Sequence, residues 1–130
     1  MIKVIKESDL LVNENRQIPE FMKNRFYIFC PGCYERAKLR YEKRFWLNSA
    51  LHCFSTEIHT FNNNMEFPTL SSSLLMTYTE HKTKEKYCCH SDVNNGMIQF
   101  LGDCTHPLVN QTVPLMDAQL YLDYLAEKKI

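Results

Sequence analysis

The chain has 130 residues, with 15 basic and 15 acidic side chains and a formal net charge of zero. That length predicts a single domain, residues 1–130, with a modest core. The neutral balance argues against a global attraction to nucleic acid or to an anionic membrane. No apolar run approaches the roughly 20 residues that span a bilayer, and the N-terminus is too charged for a signal peptide. We therefore expect a cytoplasmic protein that does not contact a membrane.

Six cysteines are present. Stable disulfides are rare in reducing cytosol, so this number favours a bound metal or buried thiols. The alternative is a secreted protein in which the six form three disulfides.

The first third of the chain predicts an extended segment that ends at a metal-binding turn. Residues 1 to about 20 suggest an edge strand or a loosely held arm, and 25–29 form an aromatic, β-branched run typical of a strand. Next comes Cys30-Pro31-Gly32-Cys33, whose spacing lets two thiolates take adjacent corners of a tetrahedron, as in a zinc knuckle. A redox pair is the alternative, since redox CxxC motifs usually open a helix.

A basic and aromatic stretch follows the CPGC motif. Ten of the fifteen Lys and Arg residues lie in the first 44 positions, and Arg36 to Arg44 alternates basic with aromatic side chains. Residues 34–46 fit a strand with one wet face or a short helix. We interpret the stretch as a solvated face. A site for single-stranded nucleic acid, with stacked bases and paired phosphates, is the alternative.

The middle of the chain predicts further strands and a well-defined hairpin. Residues 52–61 and 74–79 are expected to be extended, and 80–86 a solvated connection. Two strands, 87–93 and 97–101, flank a turn at Asn95-Gly96 that supplies positive φ values.

The register of this hairpin decides which cysteines share a face. A two-residue turn pairs Val93 with Ile98 and places Cys89 and Cys104 on the face of Ile98, with Cys88 and His90 on the other. A slip of one residue would put Cys88 on that face instead.

The fold class predicted is mainly β. We expect a small twisted sheet or open barrel of about six strands, with a zinc-knuckle-type site and a short C-terminal helix within 117–130.

The proposed Zn²⁺ ligands come from the first and the last third of the sequence. Cys30 and Cys33 supply half a tetrahedral site, and Cys89 with either Cys104 or His106 supplies the other half. The alternative for the late cysteines is a pair of buried apolar thiols. The remaining two cysteines, Cys53 and Cys88, are interpreted as core or incidental.

His90 and Asp103 have two interpretations. We favour a hydrogen-bond network that braces the turn, with the carboxylate orienting a histidine. The alternative is an open metal with His90, Asp103 and His106 around it, although no hydrolase motif such as H-E-x-x-H is present.

Three blocks of the sequence, at 30–33, 61–75 and 89–113, carry motifs in a fixed order. They are similar to C-P-G-C, then W-x-F-N-G-D-x-x-x-P-T-F-x-P-S-L-L, then C-H-S-F-V-x-D-G-x-I-Q-F-L-x-D-C-T-H-x-L-A-G-Q-T-V. On these blocks the chain, over roughly residues 26 to 117, resembles a family of unknown function found in phages and prophages, often labelled "ammonia monooxygenase". It departs at several positions, with His59 in place of the Trp and Asp92 and Asn95 in place of the hairpin Phe and Asp. The resemblance implies a phage origin and supports the Cys/His set more than it supports a reaction.

The function predicted is a phage-type accessory protein, a zinc-stabilised, non-enzymatic binding module that acts on a host protein or defence component. A phage protein is the other partner considered, and the setting is the host cytoplasm. A small metal-dependent hydrolase or nucleotide-processing enzyme is the first alternative. A binder of single-stranded nucleic acid is the second.

Overall fold

The computed structural model describes residues 1–10 and 23–128. The first of its two sheets is antiparallel, with the strand order β1 (Val4–Lys6), β2 (Arg25–Phe29) and β3 (Leu51–Ser55). A one-turn helix, α1 (Glu7–Leu10), follows β1. The aromatic and β-branched composition of β2 suits its position as the central strand, because such side chains pack well on a pleated surface.

Three short helices connect β2 to β3. They are α2 (Pro31–Arg40), a 3₁₀ turn (Lys43–Phe45) and α3 (Trp46–Ala50). Proline is favoured at the first position of α2 because its fixed φ suits a helix and its missing N–H is not needed there. The N-cap is Cys30, whose Sγ accepts a hydrogen bond from the Cys33 N–H at 3.4 Å. The CPGC motif therefore opens a helix, with a backbone N–H directed at the first of its two sulfurs.

The second sheet has four antiparallel strands in sequence order. They are β4 (Leu74–Thr79), β5 (Lys86–Asn94), β6 (Met97–Phe100) and β7 (Thr112–Pro114). The strand β4 is an edge strand that pairs with β5 along its whole length. Beyond β7 lies the C-terminal helix α4 (Gln119–Lys128).

The hairpin between β5 and β6 has the predicted register. Asn95 and Gly96 have φ values of 51° and 78°, as a two-residue type I′ turn requires, and Val93 pairs with Ile98. Alternate residues of β5 are buried, and Cys89 is among them with 4% of its surface exposed. The slipped register is therefore wrong, and the face that carries Cys89 is the inner one.

The main hydrophobic core lies between the two sheets. Phe26 and Ile28 of β2 pack in one cluster with Ile98 and Phe100 of β6. The same cluster contains three cysteines from distant parts of the chain, namely Cys30, Cys89 and Cys104. A second cluster lies under α4, where the rings of Phe29 and Tyr121 are 5.1 Å apart. The thiols thus gather at the buried contact between the sheets.

The predicted mainly β class and the short C-terminal helix are confirmed. In the described residues seven strands form two sheets that do not close into a barrel, where about six strands were expected. Of the predicted N-terminal edge strand or arm, Val4–Lys6 is an edge strand, and residues 11–20 lie outside the described part. Within residues 1–10 and 23–128, no helix is long and apolar enough to cross a membrane.

Candidate metal centre

Four potential metal ligands lie together where the helix α2 and the strand β3 of the first sheet approach the strand β5 of the second sheet. Cys30 caps α2, Cys33 lies in its first turn, His52 is the second residue of β3 and Cys89 lies in β5. One donor atom from each of the four lies within 4.8 Å of all the others. The group therefore connects three elements that are distant in the sequence.

The spacing of the donors suits a tetrahedral ion. The Sγ atoms of Cys30 and Cys89 are 3.7 Å apart. A tetrahedron with metal–sulfur bonds of about 2.3 Å has edges of about 3.8 Å, so the two thiols already lie at the separation that zinc requires. Three sulfurs and one imidazole nitrogen form one of the usual structural zinc sets.

The group is buried, and one of its polar atoms lacks a partner. Cys30 is fully buried, and His52 and Cys89 are 3% and 4% exposed. The Nδ1 atom of His52 is buried without a hydrogen-bond partner. Leaving a buried polar atom unsatisfied costs about 1–3 kcal/mol, and coordination of a metal by that lone pair would remove the cost. The residues present thus fit a metal ion.

The thiols share their protons unevenly. Hydrogen bonds from the Cys30 and Cys89 thiols lower the pKa of Cys33 well below its ordinary value. Burial raises the pKa of Cys30, and hydrogen bonding to Cys30 and Cys33 raises the pKa of Cys89. Of the three sulfurs, Cys33 therefore ionises most readily. A bound dication would let all three ionise, because metal ligation replaces the thiol protons.

A second group of potential donors shares Cys89 with the first. It consists of Cys89, Cys104 and His106, again with donor atoms within 4.8 Å. Here the Cys104 sulfur and one ring nitrogen of His106 already have partners, whereas the buried Nε2 of His106 has none. The Sγ of Cys104 accepts from the His90 N–H and donates to the His90 carbonyl, both at 3.2 Å. The Nδ1 of His106 accepts from the Leu108 N–H at 3.2 Å.

The His106 ring is fixed by close packing. Its centroid is 4.3 Å from that of Phe100, in an edge-to-face arrangement, and the ring lies against Gly32. A Cβ at position 32 would overlap the ring, so the glycine of the CPGC motif is needed for this close approach. Burial lowers the pKa of His106, so the imidazole is neutral at neutral pH. The ring thus braces the first turn of α2 against the end of the second sheet.

No family model, curated protein or solved structure matches this chain.

Three of the five predicted ligands lie in the first group. Cys30, Cys33 and Cys89 are brought together, whereas Cys104 and His106 lie in the second group and join the first only through Cys89. The fourth donor of the first group, His52, was missed. Its sequence context, Leu51-His52-Cys53, carries no ligand spacing. Only the pairing of His52 with Ile28, two residues before Cys30, brings it to the site.

The remaining cysteines and the predicted polar pair lie outside both groups. Cys53 is exposed and Cys88 is half-buried, and all six cysteines are free thiols. The predicted contact between His90 and Asp103 is present, with Nδ1 and Oδ2 separated by 3.0 Å. Neither residue belongs to a donor group.

The basic stretch begins on α2 and ends in the 3₁₀ turn, and its α2 part lies beside a cavity of about 250 Å³ that also touches Cys33, His52 and Cys89. The guanidinium of Arg36 lies over the Tyr87 ring, and Arg40 forms an ion pair with Glu85. A further pair links Lys38 to Glu35 at 3.2 Å. Much of the charge of α2 is therefore engaged within the protein itself.

The hairpin register gives a first test of the site. Cys89→Ser is expected to reduce metal affinity by at least about 100-fold, because a buried ligand is lost, whereas Cys88→Ser should change it less than about threefold. Metal titration of the two variants, monitored by the thiolate absorption of Co²⁺, makes the comparison. Equal losses, or a larger loss for Cys88→Ser, would show that the second sheet contributes a different sulfur.

Proposed function

We propose that this chain is a phage-type accessory protein, a zinc-stabilised binding module that engages a host protein or defence component. The resemblance of residues 26 to 117 to the phage family supports the origin. The observation that carries the proposal is the donor group itself. It joins the first sheet and its helix α2 to the second sheet through a cluster of three sulfurs and one nitrogen.

Zinc suits the donors and the site that they form. Sulfur and imidazole donors in a tetrahedral arrangement favour Zn²⁺ over hard cations, which prefer oxygen. Four protein donors fill the coordination shell, so the ion would bring folding energy and no open position for a substrate. A CxxC motif that opens a helix also occurs in redox pairs, but a third thiol at 3.7 Å and a buried imidazole favour ligation here.

The fourth ligand in this proposal is His52. Its buried Nδ1 has no hydrogen-bond partner. By contrast, the Sγ of Cys104 and the Nδ1 of His106 already hold hydrogen bonds to the backbone. A neutral His106 that accepts at Nδ1 carries its proton on Nε2, which then has no lone pair for a metal.

The second half of the proposal concerns a surface for a partner. Strand β4 has the sequence Leu-Leu-Met-Thr-Tyr-Thr, without charge or proline, and it pairs with another strand only on its β5 side within the described residues. Leu75 is 59% exposed and Tyr78 is 56% exposed. Edge strands in soluble proteins are usually protected by charges, prolines or short length. An unprotected apolar edge is the kind of surface that accepts an added strand.

The occupant that fits this edge is an extended segment of a partner protein with an acidic side chain. The cavity of about 250 Å³ lies between α2 and the face of β4 that carries Met76 and Tyr78. Arg36 lines that cavity, and no carboxylate of the described residues forms an ion pair with it. A carboxylate on the added strand would complement this cation.

A displayed library of random linear peptides tests the surface. We expect enrichment of extended, acidic peptides, with binding to Thr77→Lys at least roughly tenfold weaker than to the unaltered protein, because a lysine on β4 blocks strand addition. The matched control is Thr112→Lys, which places the same charge on β7 at the opposite edge of the sheet and should bind normally. Fluorescence anisotropy of an enriched peptide measures both.

Three results would contradict this surface. They are no enrichment, enriched peptides that bind both variants equally, or a dimer in light scattering that Thr77→Lys dissociates, since a second copy would then occupy β4. Metal content and melting temperature of each variant separate a loss of binding from a loss of fold.

A further inference from the structure

A serine, a histidine and an aspartate form a hydrogen-bonded chain on the outer face of the second sheet. The Oγ of Ser73, the residue before β4, is 2.9 Å from Nε2 of His90 in β5. On the other side of the ring, Nδ1 of His90 is 3.0 Å from Oδ2 of Asp103, which lies in the loop after β6. Both distances are within the reach that a nucleophile and its general base require.

The distances in this chain fit the proton arrangement that a nucleophile needs. An ionised carboxylate only accepts hydrogen bonds, so a neutral ring at His90 donates from Nδ1 to Asp103. Its Nε2 then carries the lone pair and accepts the hydroxyl proton of Ser73. This is the order of roles in a Ser-His-Asp triad, in which the carboxylate holds the imidazole in the tautomer that can take a proton.

The surrounding backbone holds the histidine in place and leaves the serine within reach. The His90 N–H and carbonyl both bond to the Cys104 sulfur, and the carbonyl also accepts from the Leu101 N–H at 2.9 Å. The side chains of His90 and Asp103 are 26% and 54% exposed, so a reactant can approach from solvent. The residue before the serine, Ser72, has a φ of 58°. Non-glycine residues in this left-handed region cluster at functional sites.

We propose that Ser73 is the nucleophile of an acyl-transfer site, with His90 as general base and Asp103 as the positioning residue. The Oγ of Ser73 attacks the carbonyl carbon of an ester or thioester while its proton passes to Nε2 of His90. The bond to the leaving alcohol or thiol breaks, and that group takes the proton from His90. Water then attacks the acyl-serine by the same route, which releases a carboxylic acid and restores the hydroxyl.

The exposure of the site on the surface of the sheet indicates its substrate class. The three residues lie on an outer sheet face, away from the cavity beside α2. A site without deep walls offers little binding energy for distorting a stable amide. An ester or thioester of a small acyl group needs less assistance because its leaving group departs more readily. None of the three residues belongs to a metal-donor group, so no metal ligand takes part in the reaction.

Active-site labelling tests the assignment. The unaltered protein is expected to form a covalent adduct with a fluorophosphonate probe at Ser73, located by peptide mass spectrometry, and to hydrolyse p-nitrophenyl acetate. Ser73→Ala should abolish the adduct, and both Ser73→Ala and His90→Gln should slow hydrolysis by roughly 100-fold or more. The matched control is Ser71→Ala, in the same loop, whose hydroxyl accepts only a backbone bond from Thr60. It should keep both activities.

Asp103 is tested separately. A residue that only stabilises the fold affects the melting temperature, whereas a residue that positions His90 for catalysis affects the rate of hydrolysis. Asp103→Asn should slow hydrolysis by at least roughly tenfold at unchanged melting temperature, and Asp103→Glu should restore part of the rate. An unlabelled Ser73, or hydrolysis that survives Ser73→Ala, would overturn the proposal and leave these residues as a bracing network. Neither result affects the metal content or the β4 surface, so the proposed function is judged separately.

Discussion

Replacing Cys30 or Cys33 by serine is expected to remove the metal and much of the stability together. Both thiols belong to the donor group that joins the two sheets, and binding of a structural metal is part of the folding equilibrium. Loss of about 3–5 kcal/mol would lower the melting temperature by roughly 10–20 °C in a domain of this size. Metal analysis and calorimetry on the same samples measure both effects.

The matched control is Cys53→Ser, because Cys53 is an exposed thiol on β3, next to the proposed ligand His52. It should retain both the metal and the melting temperature. A Cys30→Ser protein without metal that melts at the temperature of the unaltered protein would end the structural role of the ion.

We expect His52→Ala to bind the metal at least about 100-fold more weakly than His106→Ala, because only His52→Ala removes a ligand. Both imidazoles are buried, with 3% and 2% of their surfaces exposed, so both alanine variants leave a cavity of similar size. Each imidazole has one buried ring nitrogen without a partner, Nδ1 in His52 and Nε2 in His106, but only His52 belongs to the first donor group. His106→Ala should therefore lose stability but keep the metal.

A conservative replacement sharpens this comparison. His52→Cys should restore metal binding, because four thiolates also form a structural zinc site. Titration with Co²⁺ reads the result directly, since the thiolate absorption grows with the number of sulfur ligands. Loss of metal in His106→Ala with full binding in His52→Ala would move the fourth ligand to the second donor group.

Local patterns in the sequence were enough to predict the hairpin and its faces. Asn95-Gly96 specifies a two-residue turn, and period-two alternation then fixes which side Cys89 faces. The register Val93 to Ile98 is confirmed, as are β4 and the C-terminal helix. These features depend on neighbours that are close in the chain, where turn chemistry and side-chain alternation decide the conformation.

Features that depend on distant contacts could not be predicted in the same way. His52 reaches the site through the pairing of β3 with β2, and no spacing in the sequence encodes that pairing. The basic stretch after Cys33 had no decisive period, so the sequence left strand and helix open; the structure has a helix as far as Arg40 and a 3₁₀ turn at Lys43–Phe45. The contact of Ser73 with His90 likewise needs the alignment of β4 on β5. Strand β7 has only three residues, and no local signal in the sequence sets its pairing with β6.

X-ray absorption at the zinc edge, with metal analysis of the same sample, tests the central claim most directly. We predict about one zinc per chain, bound by three sulfur atoms at about 2.3 Å and one imidazole nitrogen at about 2.0 Å. A metal-free protein, or a shell that contains an oxygen ligand from water, would contradict a closed structural site built from Cys30, Cys33, His52 and Cys89.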